Sequence, residues 1–328
     1  MDTPGKGRRD SDGAEETVAF WVPSIADTEM REAFVRESLV DEIVLARPHP
    51  LLRSCVLGYA GGRGSNTPLS ALQRVPPETA VMVAISFRTA ARRLVTPAGT
   101  QLALPTVAVV GLHDRLQMIQ QPGGPQEGLM IALTPPGAYS LLGVPMHELA
   151  NTSTHLTDLA GQRILHLVEQ LIDAPSWSTR FKLLDHQLLS WLQAGRRADA
   201  AVVEGWRRLH GSHGTLPVGE LAAGLGCSRR YLEKKFREQV GLSPKTAARV
   251  LRFQRAAYLL TRTELPSCCA IAHRCGYADH SHLDRDFRDL AGCTPTQLRR
   301  SLPMTLERQA PRGVAAAGPL DLRWGERE

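Results

Sequence analysis

The chain has 328 residues and a mass of 35.9 kDa, room for two ordinary domains. Its 43% hydrophobic and 22% charged content is that of a globular protein, and no run of about 18 apolar residues exists, which excludes a helical membrane span. The net charge of +6 is unevenly placed: residues 201–302 hold 17 Lys and Arg against 9 Asp and Glu, so this stretch is basic and the remainder slightly acidic. That asymmetry fits a polyanion-binding module joined to something else, and without a motif it fits a merely solubilising face equally well.

In chain order, MDTPGKGRRDSDGAEE has no apolar stretch of the kind a secretory leader needs. The expected location is therefore the cytoplasm, and residues 1–16 are expected to be disordered. Between residues 45 and 135 the stretches CVLGYAGG, TAVMVAISFR, TVAVVGL, RLQMIQQ and GLMIALT are short and strand-like, punctuated by TPAG, QPGGP and TPPG. This pattern predicts a β-sandwich or small barrel. From residue 136 to 193 the period changes. AYSLLGVPMHELA, THLTDLAGQRILHLVEQLID and STRFKLLDHQLLSWL space Leu, Ile and Val three and four apart, as amphipathic helices do. The stripes over 155–172 and 178–192 suit either a core or a dimer interface. QAGRRADA (193–200) reads as a polar hinge, the chain beyond it as helical to about residue 302, and residues 304–328 as a disordered tail.

Two stretches of the helical part match each other: LAAGLGCSRRYLEKKFREQVGLSP (221–244) and IAHRCGYADHSHLDRDFRDLAGCTP (271–295). Leu221, Ala222 and Gly226 correspond to Ile271, Ala272 and Gly276. Leu232, Phe236, Gly241 and Pro244 correspond to Leu283, Phe287, Gly292 and Pro295, with one extra residue in the second turn. Each copy is a short helix, a Gly suited to left-handed backbone, and an N-capping Ser228 or Asp279. A second helix follows with Leu and Phe four apart, which is helix-turn-helix grammar. SPKTAARVLRFQRAAYLL (243–260) between them lacks Pro and Gly after Pro244 and predicts a linking helix roughly 27 Å long. Such a rod would set two recognition helices near successive major-groove turns, about 34 Å apart.

With SRRYLEKKF, GLSPKTAARVLRFQRAAYLL, IAHRCGYADHSHLDRDF and GCTPTQLRR in this order, residues 201–302 resemble the DNA-binding domain of AraC/XylS-family transcription regulators. HPLLRSCVLGYAGG (49–62), RVPPETAVMVAISF (74–87) and GLMIALTPPGAYSLLGVPMHELAN (128–151) are similar in layout to the sensory half of a subgroup of them. The resemblance implies a multidomain α+β chain: an N-terminal β-barrel or sandwich (cupin-like) with following helices, then an all-α double helix-turn-helix domain. The boundaries implied are 17–193 for a regulatory or dimerisation domain, with the barrel at about 45–135 and helices at about 136–193. The DNA-binding domain would occupy 198–303, with units at 218–240 and 267–291 joined by the linker helix 243–260. Implied partners are double-stranded operator or promoter DNA, RNA polymerase if the protein activates, a small-molecule effector, and a second copy of the chain; no membrane is implied. The implied location is a bacterial cytoplasm, on the nucleoid.

Carried over by position, the DNA-facing residues are Ser228, Arg229, Arg230, Glu233 and Lys234 in the first unit, and His280, Ser281, His282 and Arg285 in the second. Arg suits bidentate contact with guanine, and Glu can accept from the cytosine amine. Arg229 and Lys234 would equally serve by meeting only phosphates, and His282 is expected at phosphate rather than base. Tyr231 flanks the backbone or packs beneath its helix. Leu283 stands where the family commonly has Phe. Asp284, Asp286 and Asp289 make the second recognition helix acidic, so the second unit is expected to bind more weakly. Arg249, Arg252 and Arg255 are expected as structural or phosphate contacts.

The Cys/His-rich segment CCAIAHRCGYADHSH (268–282) supports an alternative, a metal- or thiol-responsive regulator. Against it, Cys268, Ile271, Ala272 and Cys275 share one helix face and suit a core, where free Cys acts as a small hydrophobe. Cys269 with His273 leaves two ligands, too few for structural zinc. His49 and His113 are isolated, and no catalytic motif occurs, so no enzyme activity, metal or cofactor is expected.

Overall fold

The computed structural model describes residues 19–20, 42–67, 72–88, 92–96, 98–120, 123–161, 163–261 and 267–300. The stretches 1–16 and 304–328, expected to be disordered, lie outside them.

The N-terminal part is antiparallel sheet followed by helices. Its strands are β1 (Ala19–Phe20), β2 (Glu42–Ala46), β3 (Val56–Thr67), β4 (Leu72–Val75), β5 (Val81–Arg88), β6 (Arg93–Val95), β7 (Gln101–Ala103), β8 (Val107–Val110), β9 (Gln117–Gln120), β10 (Gly124–Leu133) and β11 (Ser153–His155). They form a five-stranded sheet in the order β1-β4-β9-β6-β7 and a six-stranded sheet in the order β11-β8-β5-β10-β3-β2. Every pairing is antiparallel except β1 with β4. Among the described residues no pairing joins the two sheets, so the closed barrel named among the expectations is not formed by these hydrogen bonds. The strands β1, β2, β4, β6, β7 and β11 lie outside the strand-like stretches read from sequence; β1 has two residues and β6, β7 and β11 three each, too few for an alternation to register.

The six-stranded sheet is apolar on both faces. On β10, Leu129, Ile131 and Leu133 enter the main core, while Met130 and Ala132 join a smaller cluster with Ala60 and Met82. The register explains this: Ile131 lies opposite Tyr59 and Val83, and Ala132 opposite Met82, so like faces align. The main-core face is covered by α3 (Arg163–Asp173) and α4 (Trp177–Ala194), which follow α1 (Pro135–Leu142) and α2 (Leu156–Ala160). Ile164, Leu167, Leu171, Phe181, Leu184 and Leu188 supply the buried stripe of these helices, at the spacing the sequence predicts. A polar anchor fixes the approach. The buried Arg180 guanidinium lies 4.6 Å from the centroid of Phe87 and 4.5 Å from that of Trp177, and it donates to Glu127 Oε1 at 2.9 Å. The Tyr59 hydroxyl donates to Asp185 Oδ1 at 2.7 Å.

The C-terminal part is all helical: α5 (Ala200–Gly211), α6 (Val218–Gly224), α7 (Arg229–Gln239), α8 (Pro244–Thr261), α9 (Cys268–Arg274), α10 (His280–Ala291) and a last helix over residues 295–300. Ala247, Ala248 and Leu251 of α8 enter the same core as Leu52, Tyr59 and Leu184, so the first unit and the N-terminal part share one apolar interior. Phe253 and Ala256–Leu260, on the other half of α8, build a second core with α9 and α10.

The segment expected as a hinge is pinned. Gly195 lies against the Ser140 carbonyl, where a Cβ would collide, and the Asp199 amide donates to Gln239 Oε1 at 2.8 Å. Deeper in this seam Gln254 of α8 is 3% exposed; it accepts from Thr79 Oγ1 at 2.9 Å and donates to the Pro77 carbonyl at 3.3 Å. His113 lies beside this segment, with its Nε2 at 3.1 Å from the Pro76 carbonyl.

Candidate nucleic-acid interface

The duplication read from sequence is present in the backbone hydrogen bonds. In the first unit Leu225 N, Gly226 N and Cys227 N donate to Leu221 O, Ala223 O and Ala222 O. In the second, Cys275 N, Gly276 N and Tyr277 N donate to Ile271 O, His273 O and Ala272 O. Gly226 and Gly276 have φ of +67° and +71°, backbone that a Cβ disfavours. This geometry turns the chain sharply from one helix into the next. The N-caps then start the recognition helices: Ser228 Oγ accepts from Tyr231 N at 3.2 Å, and Asp279 Oδ1 accepts from His282 N at 2.7 Å. Each cap contributes about 1 kcal/mol. Leu232, Phe236, Leu283 and Phe287 are all 0% exposed, so each recognition helix is held down by the same Leu-and-Phe pair.

The opposite face of α7 is open. Ser228, Arg229, Arg230 and Lys234 are exposed and Glu233 is half-buried. Arg229 Nε lies 3.3 Å from Glu233 Oε1, an (i, i+4) pair of little energetic weight. Tyr231, which the sequence left with two readings, turns back: its hydroxyl donates to Asp199 Oδ2 at 2.5 Å and holds that carboxyl below its ordinary pKa. The C-terminal end of α7 faces the N-terminal part, where Glu238 pairs with Lys235 at 2.9 Å and accepts from the Tyr139 hydroxyl at 3.3 Å.

On α10, His280, Ser281 and Arg285 are exposed. His282 is half-buried, edge-on to the Tyr277 ring with centroids 5.1 Å apart, so packing occupies one side of the imidazole expected at phosphate. The carboxylates that gave this helix its acidic reading are largely compensated from within. Asp286 is 4% exposed and bound by Arg249 Nε at 2.7 Å. Asp289 meets the same guanidinium at 2.6 Å, and Asp284 lies between His280 at 3.3 Å and Arg288 at 3.4 Å. The repulsion of phosphate expected from sequence is thereby reduced.

The linker arginines are structural. Arg249 serves the two aspartates, and Arg252 Nη1 donates to the Gly214 carbonyl at 3.0 Å. Arg255 lies over Tyr258 at 5.4 Å from the ring centroid. Phe253 meets Phe287 edge-on at 4.9 Å, which seats the second recognition helix on the linker helix.

The Cys/His segment is divided between two environments. Ile271, Ala272 and Cys275 are buried and Cys268 half-buried, whereas Cys269 and His273 are exposed. Burial pushes the Cys275 thiol up to about 11, so it is a protonated apolar group at neutral pH and neither a nucleophile nor a ready metal ligand. Among the described residues, no three His, Cys, Asp or Glu side chains converge as a metal site. Among them too, no helix is long and apolar enough to cross a membrane.

A family profile described as a helix-turn-helix domain matches residues 221–301. These residues form an AraC-type helix-turn-helix domain. Among curated proteins, the chain is 30% identical over 122 residues to the Msm operon regulatory protein of Streptococcus mutans, a stretch covering 37% of this chain and 44% of that protein. It is 40% identical over 73 residues to the HTH-type transcriptional activator RhaR of an Enterobacter species, covering 22% and 26% respectively. The chain thus spans less than half the length of these relatives. Among solved structures, the C-terminal domain of AraT, a response regulator from Geobacillus stearothermophilus, is 29% identical, with 32% of this chain and 88% of that chain covered and a TM-score of 0.30.

Proposed function

We propose that the protein is a sequence-specific double-stranded DNA-binding regulator of transcription, its two recognition helices entering successive major grooves from one face of the duplex. The observation that carries this reading is the pair of units with matching turn hydrogen bonds, joined by an 18-residue helix and each presenting an open first turn of the recognition helix. Arg230 and Glu233 are assigned to base edges, Ser228 and Arg229 to the phosphates, and Lys234 to a phosphate or a neighbouring base. In the second unit, His280, Ser281 and Arg285 face the bases, and His282 meets phosphate through its open edge.

The DNA-binding domain is taken as residues 198–303 and the regulatory part as 17–193. We read the two sheets as an opened cupin-like sandwich. Its role is to take a small-molecule effector or to pair two copies of the chain, and the shared core through Leu251 gives it a direct mechanical connection to the first unit. An activating role would add contact with RNA polymerase. The site of action is then the nucleoid of a bacterial cytoplasm.

Selection of bound fragments from random or genomic DNA by the full chain tests the reading. The expected product is one sequence with two recognition segments about one helical turn apart. Equal retention of all sequences at physiological salt would overturn it.

A further inference from the structure

We propose that Arg252, Tyr277 and Asp286 together hold one buried water molecule that ties the two helix-turn-helix units into a single rigid reader. The inference rests on the DNA-binding reading above and adds to it the means by which the second unit is held in register with the first.

The site is built from three elements. Arg252 on the linker helix α8 reaches the first unit, donating through Nη1 to the Gly214 carbonyl at 3.0 Å. Its stem passes the turn of the second unit, where a Cβ on Gly276 would lie 3.0 Å from Thr215 Cγ2 and 3.7 Å from Arg252 Cδ. The two units therefore touch at Thr215 and Gly276, beside this arginine. Tyr277 follows in the same turn, its ring centroid 5.8 Å from the Arg252 guanidinium and 5.1 Å from the His282 ring. Asp286 on α10 completes the cluster, bound on one oxygen by Arg249 Nε at 2.7 Å.

Each of the three residues keeps one buried polar atom without a hydrogen-bond partner among the described residues: Arg252 Nε, the Tyr277 hydroxyl and Asp286 Oδ2. Tyr277 and Asp286 are 5% and 4% exposed, so bulk solvent does not serve them. Burial pushes the phenol well above its ordinary range, with the Asp286 charge adding to the rise and the Arg252 and Arg249 charges opposing it. Three orphaned polar atoms on neighbouring side chains are unusual, since buried polar groups are almost always paired.

The set is chemically complementary. Arg252 Nε–H can only donate, Asp286 Oδ2 can only accept, and the phenol can do either. One water accepts from Arg252 Nε–H and from the Tyr277 hydroxyl and donates to Asp286 Oδ2, three bonds being the usual number for an interior water. The local charge selects a neutral occupant. Arg249 and Arg252 are balanced by Asp286 and Asp289, so an anion meets the unshared Asp286 oxygen and a cation meets two guanidiniums.

The test uses the full chain and Tyr277→Phe, which keeps the ring and removes only the hydroxyl. A crystal structure that resolves ordered solvent is expected to place one water within hydrogen-bond reach of all three atoms, and none there in the variant. On DNA selected by the unchanged protein, the variant is expected to lose about tenfold in affinity for the whole site and less than about twofold for a site whose second half is scrambled. Its melting transition is expected to remain cooperative. A site without that water, direct contact between the three groups, whole-site affinity within about twofold of the parent, or equal losses on both DNAs would each overturn the proposal. Should the parent select no DNA at all, the functional reading fails, and the crystal alone then decides the water.

Discussion

Gln254 offers the sharpest test of how the two halves communicate. Its side chain is 3% exposed and spans a seam between positions 175 and 177 residues apart in the chain, accepting from Thr79 Oγ1 at 2.9 Å and donating to the Pro77 carbonyl at 3.3 Å. Gln254→Leu keeps most of the volume and strips both partners at once. Leaving a buried donor or acceptor unpaired costs roughly 1–3 kcal/mol. The Thr79 hydroxyl can rotate and the Pro77 bond is long, so a total of about 2–3 kcal/mol is expected rather than the full sum. Urea denaturation of the full chain, followed by the fluorescence of buried Trp206 and half-buried Trp177, reads this as a lower midpoint at unchanged slope. The double variant Thr79→Val, Gln254→Leu is expected to recover about half of the loss, because two apolar partners leave less to desolvate. A single-variant loss under about 0.5 kcal/mol, or strict additivity of the two changes, would refute the seam as an energetic link.

Other outcomes follow from the same geometry. Arg249→Met leaves Asp286 buried without its cation; Arg249 is about one-third exposed, so a loss of about 2–3 kcal/mol is expected rather than the larger cost of a fully buried pair. Calorimetry should show it, with Arg249→Met, Asp286→Leu more stable than the single change. Glu78 is buried, and burial alone raises its pKa well above the ordinary carboxylate value. A raised folded pKa means the neutral acid is favoured by folding below pH about 4.3 and that this contribution is lost as pH rises towards the folded pKa. Glu78→Gln should therefore raise the melting temperature at pH 8, with the gain shrinking as the pH approaches 4. The opposite trend would show that the carboxylate is stabilised in place. His113 works the other way: burial lowers its pKa, so its contribution is present above about 6.5 and lost below it, and His113→Gln should flatten the acid limb of the stability curve. At the DNA surface, Arg230→Ala is expected to relax preference at one base position, whereas Arg229→Ala should weaken all sequences alike and lower the salt slope by about one, measured by titration at several salt concentrations.

Much of the helical C-terminal half was legible because its rules are local. A left-handed glycine, a capping Ser228 or Asp279 and a Leu-and-Phe pair four apart are each dictated by backbone and side-chain chemistry within one turn. The repeat displayed them twice in register. The exposed first turn of α7 follows from the same reasoning, since Leu232 and Phe236 fix which side is buried. The strands β3, β5, β8, β9 and β10 were visible through composition and punctuation, while the three-residue β6, β7 and β11 were too short to show.

The sequence by itself determined where the helices start and stop, which faces are apolar, and that two units of one kind are joined by a rod. Only the tertiary structure decided the partners of the charges. Asp286 and Asp289 count as acids on a DNA-facing helix until Arg249, dozens of residues earlier, is brought beside them. Gln254 is an unremarkable helix residue until the Pro77–Thr79 segment closes over it. Tyr231 had two readings until Asp199 captured its hydroxyl. Pairing of this kind depends on long-range approach, which hydrophobic periodicity directs but does not itself encode.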